Sequence, residues 1–520
     1  MSKRSGSTCP TSLVSWRAVG MVLAWLLMGP ACGLALAAEA AKTGFPPHFL
    51  LGTAVAGFQI EMGCPHLAAD ICEDRHSDWY EFITSPWTRL DPLLFMSGQP
   101  PSTGPGFYEL FSQDLDLARH ALGSNAVRLS LEWSRIFPAP TFGVSGYQQL
   151  HQLASPTALE YYHRIFADMK RLGLTPMVTV NHYSLPNWIH DAVGCHRDFA
   201  HCQRRGWDDP KTIVPEIAKF AGFVAHEFGA EVDDWLTLNE PFAAVVLPSF
   251  LFPNPSRSNP PGVVLQIEAA KRATEAMIVA HARMYDAIHA EDHWSADGSG
   301  VHARVGLASV LLAVSPASDR AADQQAAANL RYIFNDLFLN AIATGYIDVA
   351  WDGHATLRPD LAGRLDFIGI NYYGRVRSSA LGFAVLPQLS PLMNFVPKDY
   401  DDRSPESLYQ VLKETSRYGL PMIVTETGVD HAGDTNRSLG WIKGTLGAVG
   451  RAIAEGLPVG GYFYWSLMDN YEWNHGMQQR FGFFAVDPLD PEKLRTARPA
   501  VDLFHAFALD QVFPAFEAGR

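Results

Sequence analysis

The chain has 520 residues, is 48% apolar and 18% charged, and carries a formal net charge of −14. So much apolar content with so few charges excludes intrinsic disorder, and an acidic balance argues against a nucleic-acid binder, which needs clustered Lys and Arg to neutralise phosphates. Only one long uncharged run exists, which excludes a polytopic membrane protein.

That run lies at the start. Lys3, Arg4 and Arg17 precede an uncharged stretch over 18–38 that closes with Ala35-Leu36-Ala37. A basic start, an apolar middle and an A-x-A site describe a secretory signal peptide, so residues 1–37 are expected to be removed and the protein exported, to the periplasm or the medium. The competing expectation is an uncleaved anchor, which would be the chain's link to a membrane. Beyond this segment four cysteines remain. Cys64 and Cys72 lie eight positions apart, Cys195 and Cys202 seven. In an oxidising compartment two local disulfides are the economical reading, although four cysteines allow three connectivities. A zinc site drawing on His66, His196 and His201 is the rival, but no C-x-x-C spacing supports it.

From residue 45 to about 512, short apolar β-branched runs alternate with longer helical stretches. The runs fall at 49–53, 126–131, 176–181, 235–238, 304–309, 367–371, 422–426 and 461–465. Amphipathic stretches fall between them at 156–172, 210–228, 265–290, 321–344, 405–418 and 439–455. Parallel strands covered on both faces read as near-continuous apolar runs. Eight such alternations over this length predict an α/β fold, a single (β/α)8 TIM barrel forming one catalytic domain over 45–512. An open doubly wound sheet would need a Gly-rich phosphate loop after the first strand, and Gly52-Thr53-Ala54-Val55-Ala56-Gly57 lacks that spacing.

Barrel enzymes place their chemistry at the C-terminal ends of the strands. Here the second strand carries Arg128. The third runs into Asn181-His182-Tyr183, the fourth into Asn239-Glu240-Pro241, the sixth into Asn371-Tyr372-Tyr373, the seventh stops at Glu426 and the eighth at Trp465. Two glutamates across a barrel mouth suit glycoside hydrolysis: one carboxyl protonates the leaving oxygen, the other attacks the anomeric carbon or activates water. Glu426 should stay ionised beside Arg128 and Tyr373, while Glu240 should start protonated through partial desolvation. The adjacent doublets Asp233-Asp234 and Asp401-Asp402 read as solvated faces.

The motifs also carry a family resemblance. They are Phe45-Pro46-Pro47-His48-Phe49-Leu50-Leu51-Gly52-Thr53 with Gln59-Ile60-Glu61; Val127-Arg128-Leu129-Ser130-Leu131-Glu132-Trp133-Ser134-Arg135-Ile136; Thr237-Leu238-Asn239-Glu240-Pro241; Gly369-Ile370-Asn371-Tyr372-Tyr373; Ile423-Val424-Thr425-Glu426-Thr427-Gly428; and Trp465-Ser466-Leu467-Met468-Asp469-Asn470-Tyr471-Glu472-Trp473 followed by Arg480-Phe481-Gly482. In this order and at barrel spacing they resemble glycoside hydrolase family 1, the β-glucosidase and β-galactosidase family. The resemblance implies a retaining mechanism with Glu426 as nucleophile and Glu240 as acid and then base. Arg128 and Tyr373 would position Glu426, and Asn239 would bond the sugar 2-hydroxyl. Gln59, His182, Glu472 and Trp473 would hold the remaining hydroxyls over a Trp465 floor. That set also suits a sugar on chemical grounds, since a pyranose has apolar faces and a polar rim.

The chain departs from the family in places. Tyr183 stands where the family usually has Trp, Thr427 where it has Asn, and Glu61-Met62-Gly63 where it has Glu-Gly. Segments 63–112 and 381–403 match least and are expected to form loops over the leaving-group side. A carboxylate at Glu472 would repel a phosphate, so the expected substrate is an unphosphorylated β-glycoside: a β-linked oligosaccharide or an aryl or alkyl glycoside, of glucose, galactose, fucose or mannose. The mechanism needs no cofactor and no metal, and the histidines form no H-E-x-x-H cluster. Two other classes share these residues: a transglycosidase, and a carbohydrate-binding barrel without catalysis.

Overall fold

Eight parallel strands close into a barrel in the computed structural model, which describes residues 43–380, 392, 394–431 and 433–517. They are β1 (Leu50–Ala54), β2 (Ala126–Ser130), β3 (Thr175–Asn181), β4 (Asp234–Asn239), β5 (Arg304–Val310), β6 (Phe367–Tyr372), β7 (Met422–Thr427) and β8 (Val459–Trp465). Each strand pairs with its sequence neighbours, and β1 closes the ring on β8 in the register Leu50↔Gly461 to Ala54↔Trp465. The predicted single (β/α)8 barrel is therefore the observed fold, with strand ends displaced by one or two residues. Every residue of β4, β6 and β7 is buried, which is why these strands read as near-continuous apolar runs that turn polar at their ends.

Side chains such as Met177, Leu236, Phe367, Ile423 and Phe463 fill the barrel interior, and Trp465 belongs to the same cluster at its mouth. Close packing there demands small neighbours. A Cβ on Gly306 would lie 2.7 Å from the Phe367 ring. Helices α1 (Phe107–Asp116), α2 (Pro156–Leu172), α3 (Pro210–Phe228), α4 (Ile267–Glu291), α5 (Ala321–Arg331), α6 (Leu408–Thr415), α7 (Arg437–Ala454) and α8 (Ala500–Asp510) follow the strands in turn. The sequence sets their ends plainly in α2: the Ser155 hydroxyl accepts from the Ala158 N–H, Pro156 opens the helix, and Gly173 ends it at φ 68°.

Several elements differ from expectation. The helix predicted over 321–344 is interrupted at Tyr332–Asp336, where the backbone widens before Leu337–Thr344 resumes. The Asn335 amide at this break bonds the Leu312 backbone in both directions, at 3.0 and 2.9 Å, and so ties the helix to the loop after β5. Within the predicted loop 381–403, Val396–Asp401 is a strand, while 381–391 and 393 lie outside the described residues. It pairs antiparallel with Arg375–Ser379, which pairs parallel with Ala313–Pro316. Segment 63–112 is largely short helices rather than open loop, among them Asp78–Thr84 and Pro86–Arg89.

Asp233 and Asp234 are not solvated. The Asp234 carboxylate is 2% exposed and takes both Arg304 Nε and Nη2, at 2.6 and 3.0 Å. Asp233 accepts from the backbone of Ala296 and Asp297. These acids lock the starts of β4 and β5 together at the closed end of the barrel. Asp401 and Asp402 are half-buried and paired, with Arg375 and Arg437 respectively.

Cys64 is bridged to Cys72 and Cys195 to Cys202, with Cα–Cα distances of 6.0 and 4.9 Å. The bridges consume the thiols that a zinc site would have needed. Residues 1–37, read above as a signal peptide, lie outside the described residues.

Candidate active site

The strand ends converge on one cavity of about 1300 Å³. Gln59, on the short helix Gly57–Glu61 after β1, lines it together with His182, Glu240, Tyr373, Glu426, Trp465, Glu472 and Trp473. Arg128 and Asn239, both 1% exposed, stand directly behind these residues. All ten side chains singled out from the sequence are thus brought to one place.

Glu426 projects from β7 and receives two donors. Arg128 Nη1 donates to Oε1, and the Tyr373 hydroxyl donates to Oε2 at 2.7 Å. Arg128 is itself aimed by three neighbours. Nε donates to Thr179 Oγ1 at 3.0 Å, Nη1 to the Thr425 carbonyl at 3.1 Å, and Nη2 to Asn239 Oδ1 at 2.7 Å. A guanidinium held from β2 through β3, β4 and β7 cannot swing away, so the carboxylate it touches has a fixed position.

Glu240 has different surroundings. The chain leaves β4 through a left-handed residue, Glu240 itself at φ 47° and ψ 50°, and enters the widened helical segment Pro241–Leu251. That conformation costs a non-glycine residue about 1–3 kcal/mol, and it is held here by the Glu240 N–H donating to the Ala308 carbonyl at 2.8 Å. Asn371 Nδ2 donates to Oε1 and the Tyr183 hydroxyl to Oε2, both at 2.7 Å. Burial, and then the negative charge of Glu426, push the Glu240 carboxyl up to about 7, against the pull of those two donors and of Arg257. A carboxyl poised there can hold a proton at neutral pH and also give it up.

Asn239 connects the two halves. Its oxygen accepts from Arg128, which fixes the amide's orientation. Its nitrogen donates to the Tyr183 hydroxyl at 2.9 Å and to His182 Nε2 at 3.1 Å. Burial first, and then Arg128 and Arg257, push the His182 imidazole well below its usual range. It is neutral, and with Nε2 accepting, the proton sits on Nδ1.

The remaining wall is amphipathic. Trp465 Nε1 donates to Glu472 Oε1 at 2.9 Å, and Gln59 Nε2 donates to Glu472 Oε2 at 3.1 Å and to Asn470 Oδ1 at 2.8 Å. Burial pushes Glu472 up to about 7, opposed chiefly by Arg257. Trp473 stacks on Phe58, with centroids 5.8 Å apart and planes 8° apart, and lies near parallel to His182. Three buried polar atoms of residues lining the cavity have no partner among the described residues: Gln59 Oε1, an acceptor, and His182 Nδ1 and Arg257 Nη1, donors. Each costs about 1–3 kcal/mol unless something polar meets it. Hydroxyl groups, donors and acceptors at once, suit such a set.

Four participants escape a reading of motifs. Tyr183 is visible in the sequence only as a departure from a pattern, yet it touches Glu240. Asn371 and Asn470 stand inside the quoted motifs, but an amide announces no reaction. Arg257, whose guanidinium lies 5.6 Å from the Tyr183 ring and 5.8 Å from that of Trp473, comes from the irregular stretch 252–262, which has no periodicity to place it.

The profile of glycosyl hydrolase family 1 matches residues 41–511. The β-galactosidase of Pyrococcus woesei is 33% identical over 501 residues, which span 86% of this chain and 94% of its own. β-Glucosidase A of Thermotoga maritima is 29% identical over 473 residues, spanning 85% and 93%. The crystal structure of the β-glycosidase from the hyperthermophile Thermosphaera aggregans is similar with a TM-score of 0.76 at 31% identity, covering 91% of this chain and 98% of that one. A profile that runs the length of the barrel, and relatives aligned over nearly their whole length, make this chain a member of glycosyl hydrolase family 1 and a β-glycosidase.

Proposed function

We propose that the protein hydrolyses unphosphorylated β-glycosides with net retention, in two displacements. Glu426 attacks the anomeric carbon while Glu240 gives its proton to the leaving oxygen. Water then attacks the glycosyl-enzyme as Glu240, now ionised, takes a proton from it. The observation that carries this reading is the contrast between the two carboxyls of one cavity. Glu426 is gripped by Arg128 and Tyr373, whereas Glu240 is pushed up to about 7. Gln59 and His182, with their unpartnered atoms, and the Trp465–Glu472 pair support binding of a hexose beside them. The carboxylate at Glu472 supports a glycone without phosphate, as in the β-glucosides and β-galactosides after which the relatives are named.

The test is the anomer first released from a nitrophenyl β-glycoside, followed by NMR. The β-anomer is expected first, and the α-anomer first would refute retention. Glu426→Ala should abolish turnover; equal, near-zero activity of both proteins would refute catalysis altogether. Release of free sugar in excess acceptor separates hydrolysis from transglycosylation. A panel of glycones, phosphorylated and not, checks the substrate class.

We also infer export, with residues 1–37 as a signal peptide. Two local disulfides support an oxidising destination. The mature N-terminus of secreted material, read by mass spectrometry, is the measurement that decides it.

A further inference from the structure

The cavity is larger than a sugar needs and its wall changes character along its length. Pockets for whole drug-sized ligands occupy roughly 300–1,000 Å³, and this one is about 1300 Å³. The polar groups gather on the arc after β1, β3 and β8, where Gln59, His182, Trp465 and Glu472 stand. The arc after β4, β5 and β6 is different. Immediately after Glu240 the wall is Ala244, Leu247 and Pro248 of the segment Pro241–Leu251. Beside it lie Val310, Leu312, Leu330, Phe334, Val376 and Phe395, which pack with one another as a separate apolar cluster.

Register shows where this annex begins. Val310 pairs with Asn371, the residue whose amide touches Glu240. Two residues on, Leu312 is held in place through its backbone by Asn335. Ala313–Pro316 then pairs with Arg375–Ser379, which carries Val376. The apolar wall therefore starts at the acid/base glutamate and continues outward beneath the small three-stranded sheet. A leaving group protonated by Glu240 departs on this side. Elsewhere on the wall Arg437 meets Asp402 at 2.7 Å and the Asp430 carbonyl at 2.6 Å, while the Arg257 guanidinium lies over the Tyr183 and Trp473 rings, on the sugar side. A saccharide leaving group would bring a rim of hydroxyls against aliphatic carbon and strand them there.

We propose that the leaving group taken by this annex is an extended alkyl chain, so that the preferred substrates are amphiphilic alkyl β-glycosides. The inference rests on the retaining β-glycosidase reading and names its substrate class. In the reaction the bond from C1 to the alkyl oxygen breaks as Glu426 bonds C1, and the oxygen takes the Glu240 proton and leaves as a long-chain alcohol. Water supplies the hydroxyl that restores the sugar and the proton that restores Glu240.

The experiment is kcat/KM for methyl, butyl, hexyl and octyl β-glucosides below their micelle concentrations, with nitrophenyl β-glucoside and cellobiose alongside. From butyl to octyl the acidity of the departing alcohol is nearly constant, so chemistry alone predicts a flat series. Burial of each further methylene predicts a rise of about threefold per carbon, and at least tenfold across the series. Leu312→Gln and, in the segment Pro241–Leu251, Leu247→Gln should each pull the octyl-to-butyl ratio toward one; the ratio is internal to each variant and is unaffected by how much of it folds. A flat wild-type series, a ratio unmoved in both variants, or cellobiose preferred tenfold over octyl glucoside overturns the proposal while the β-glycosidase reading stands. Failure to turn over the nitrophenyl β-glucoside, β-galactoside, β-fucoside and β-mannoside as well overturns both.

Discussion

Tyr183→Phe removes one hydroxyl from the acid/base site and leaves the ring. That hydroxyl donates to Glu240 at 2.7 Å while accepting from Asn239 at 2.9 Å. A hydrogen bond to an ionised carboxylate is worth about 1.5–3 kcal/mol, and one pKa unit is about 1.4 kcal/mol, so its loss corresponds to about 1–2 units. The direction follows from which form is stabilised. Tyr183 donates, which favours the ionised carboxylate, so its removal makes Glu240 hold its proton more tightly, starting from about 7. Glu426 and Tyr373 face the same carboxyl, as does Asn371 with its remaining donor, and none of these is altered. In the pH profile of kcat/KM, which reports the free enzyme, the alkaline limb set by the acid form should move up by about one unit or more. The second displacement needs Glu240 ionised. In the glycosyl-enzyme the Glu426 charge is spent in the ester bond and no longer raises Glu240, so for a substrate limited by that step the acid limb of kcat should move up by the same one unit or so. Nitrophenyl β-glucoside across the pH range is the assay, with circular dichroism confirming the fold. An alkaline limb within about 0.3 unit of wild type would refute the assignment of Tyr183 to Glu240.

Arg128→Lys keeps the charge but loses the fork that reaches Glu426 and Asn239 together, so kcat/KM should fall about 10- to 150-fold; a change under threefold would mean that the fork does not matter. Arg135→Ala leaves Glu61, its partner at 2.8 Å, as a buried unpaired acid, and should cost about 3–5 kcal/mol in chemical denaturation. Replacing Cys64 and Cys72 together by Ser opens a short loop and should cost about 2–3 kcal/mol, seen in the melting temperature, with turnover retained.

The barrel could be read from the sequence because its strands are covered on both faces. Its site could be read because each apolar run stops at a group that does not belong in a core. What pattern could not supply is the identity of partners distant in the chain. Asp233 and Asp234 look like a solvated doublet until Arg304 meets one of them from 70 positions away. Pro241–Leu251 has no polar face and so no periodicity, although it forms one wall of the cavity. Val396–Asp401, with its proline and alternating charges, reads as loop and is a strand only because Arg375–Ser379 offers an edge. The break at Tyr332–Asp336 likewise depends on Leu312, a residue of another element. Tyr183 was conspicuous only as a mismatch, and its contact with Glu240 required the turn after β3 to be seen.

The cavity draws most of its polar groups from one arc of the ring and its greasy annex from another, with Arg257 reaching across from the connection after β4. Choice of sugar and choice of what the sugar is attached to are therefore written in separate stretches of sequence. Exchanging the connection after β5 would retune the second choice, while Arg257, carried by the connection after β4, keeps its place beside Trp473. Such an arrangement lets one hydrolytic centre be fitted to new glycosides one end at a time.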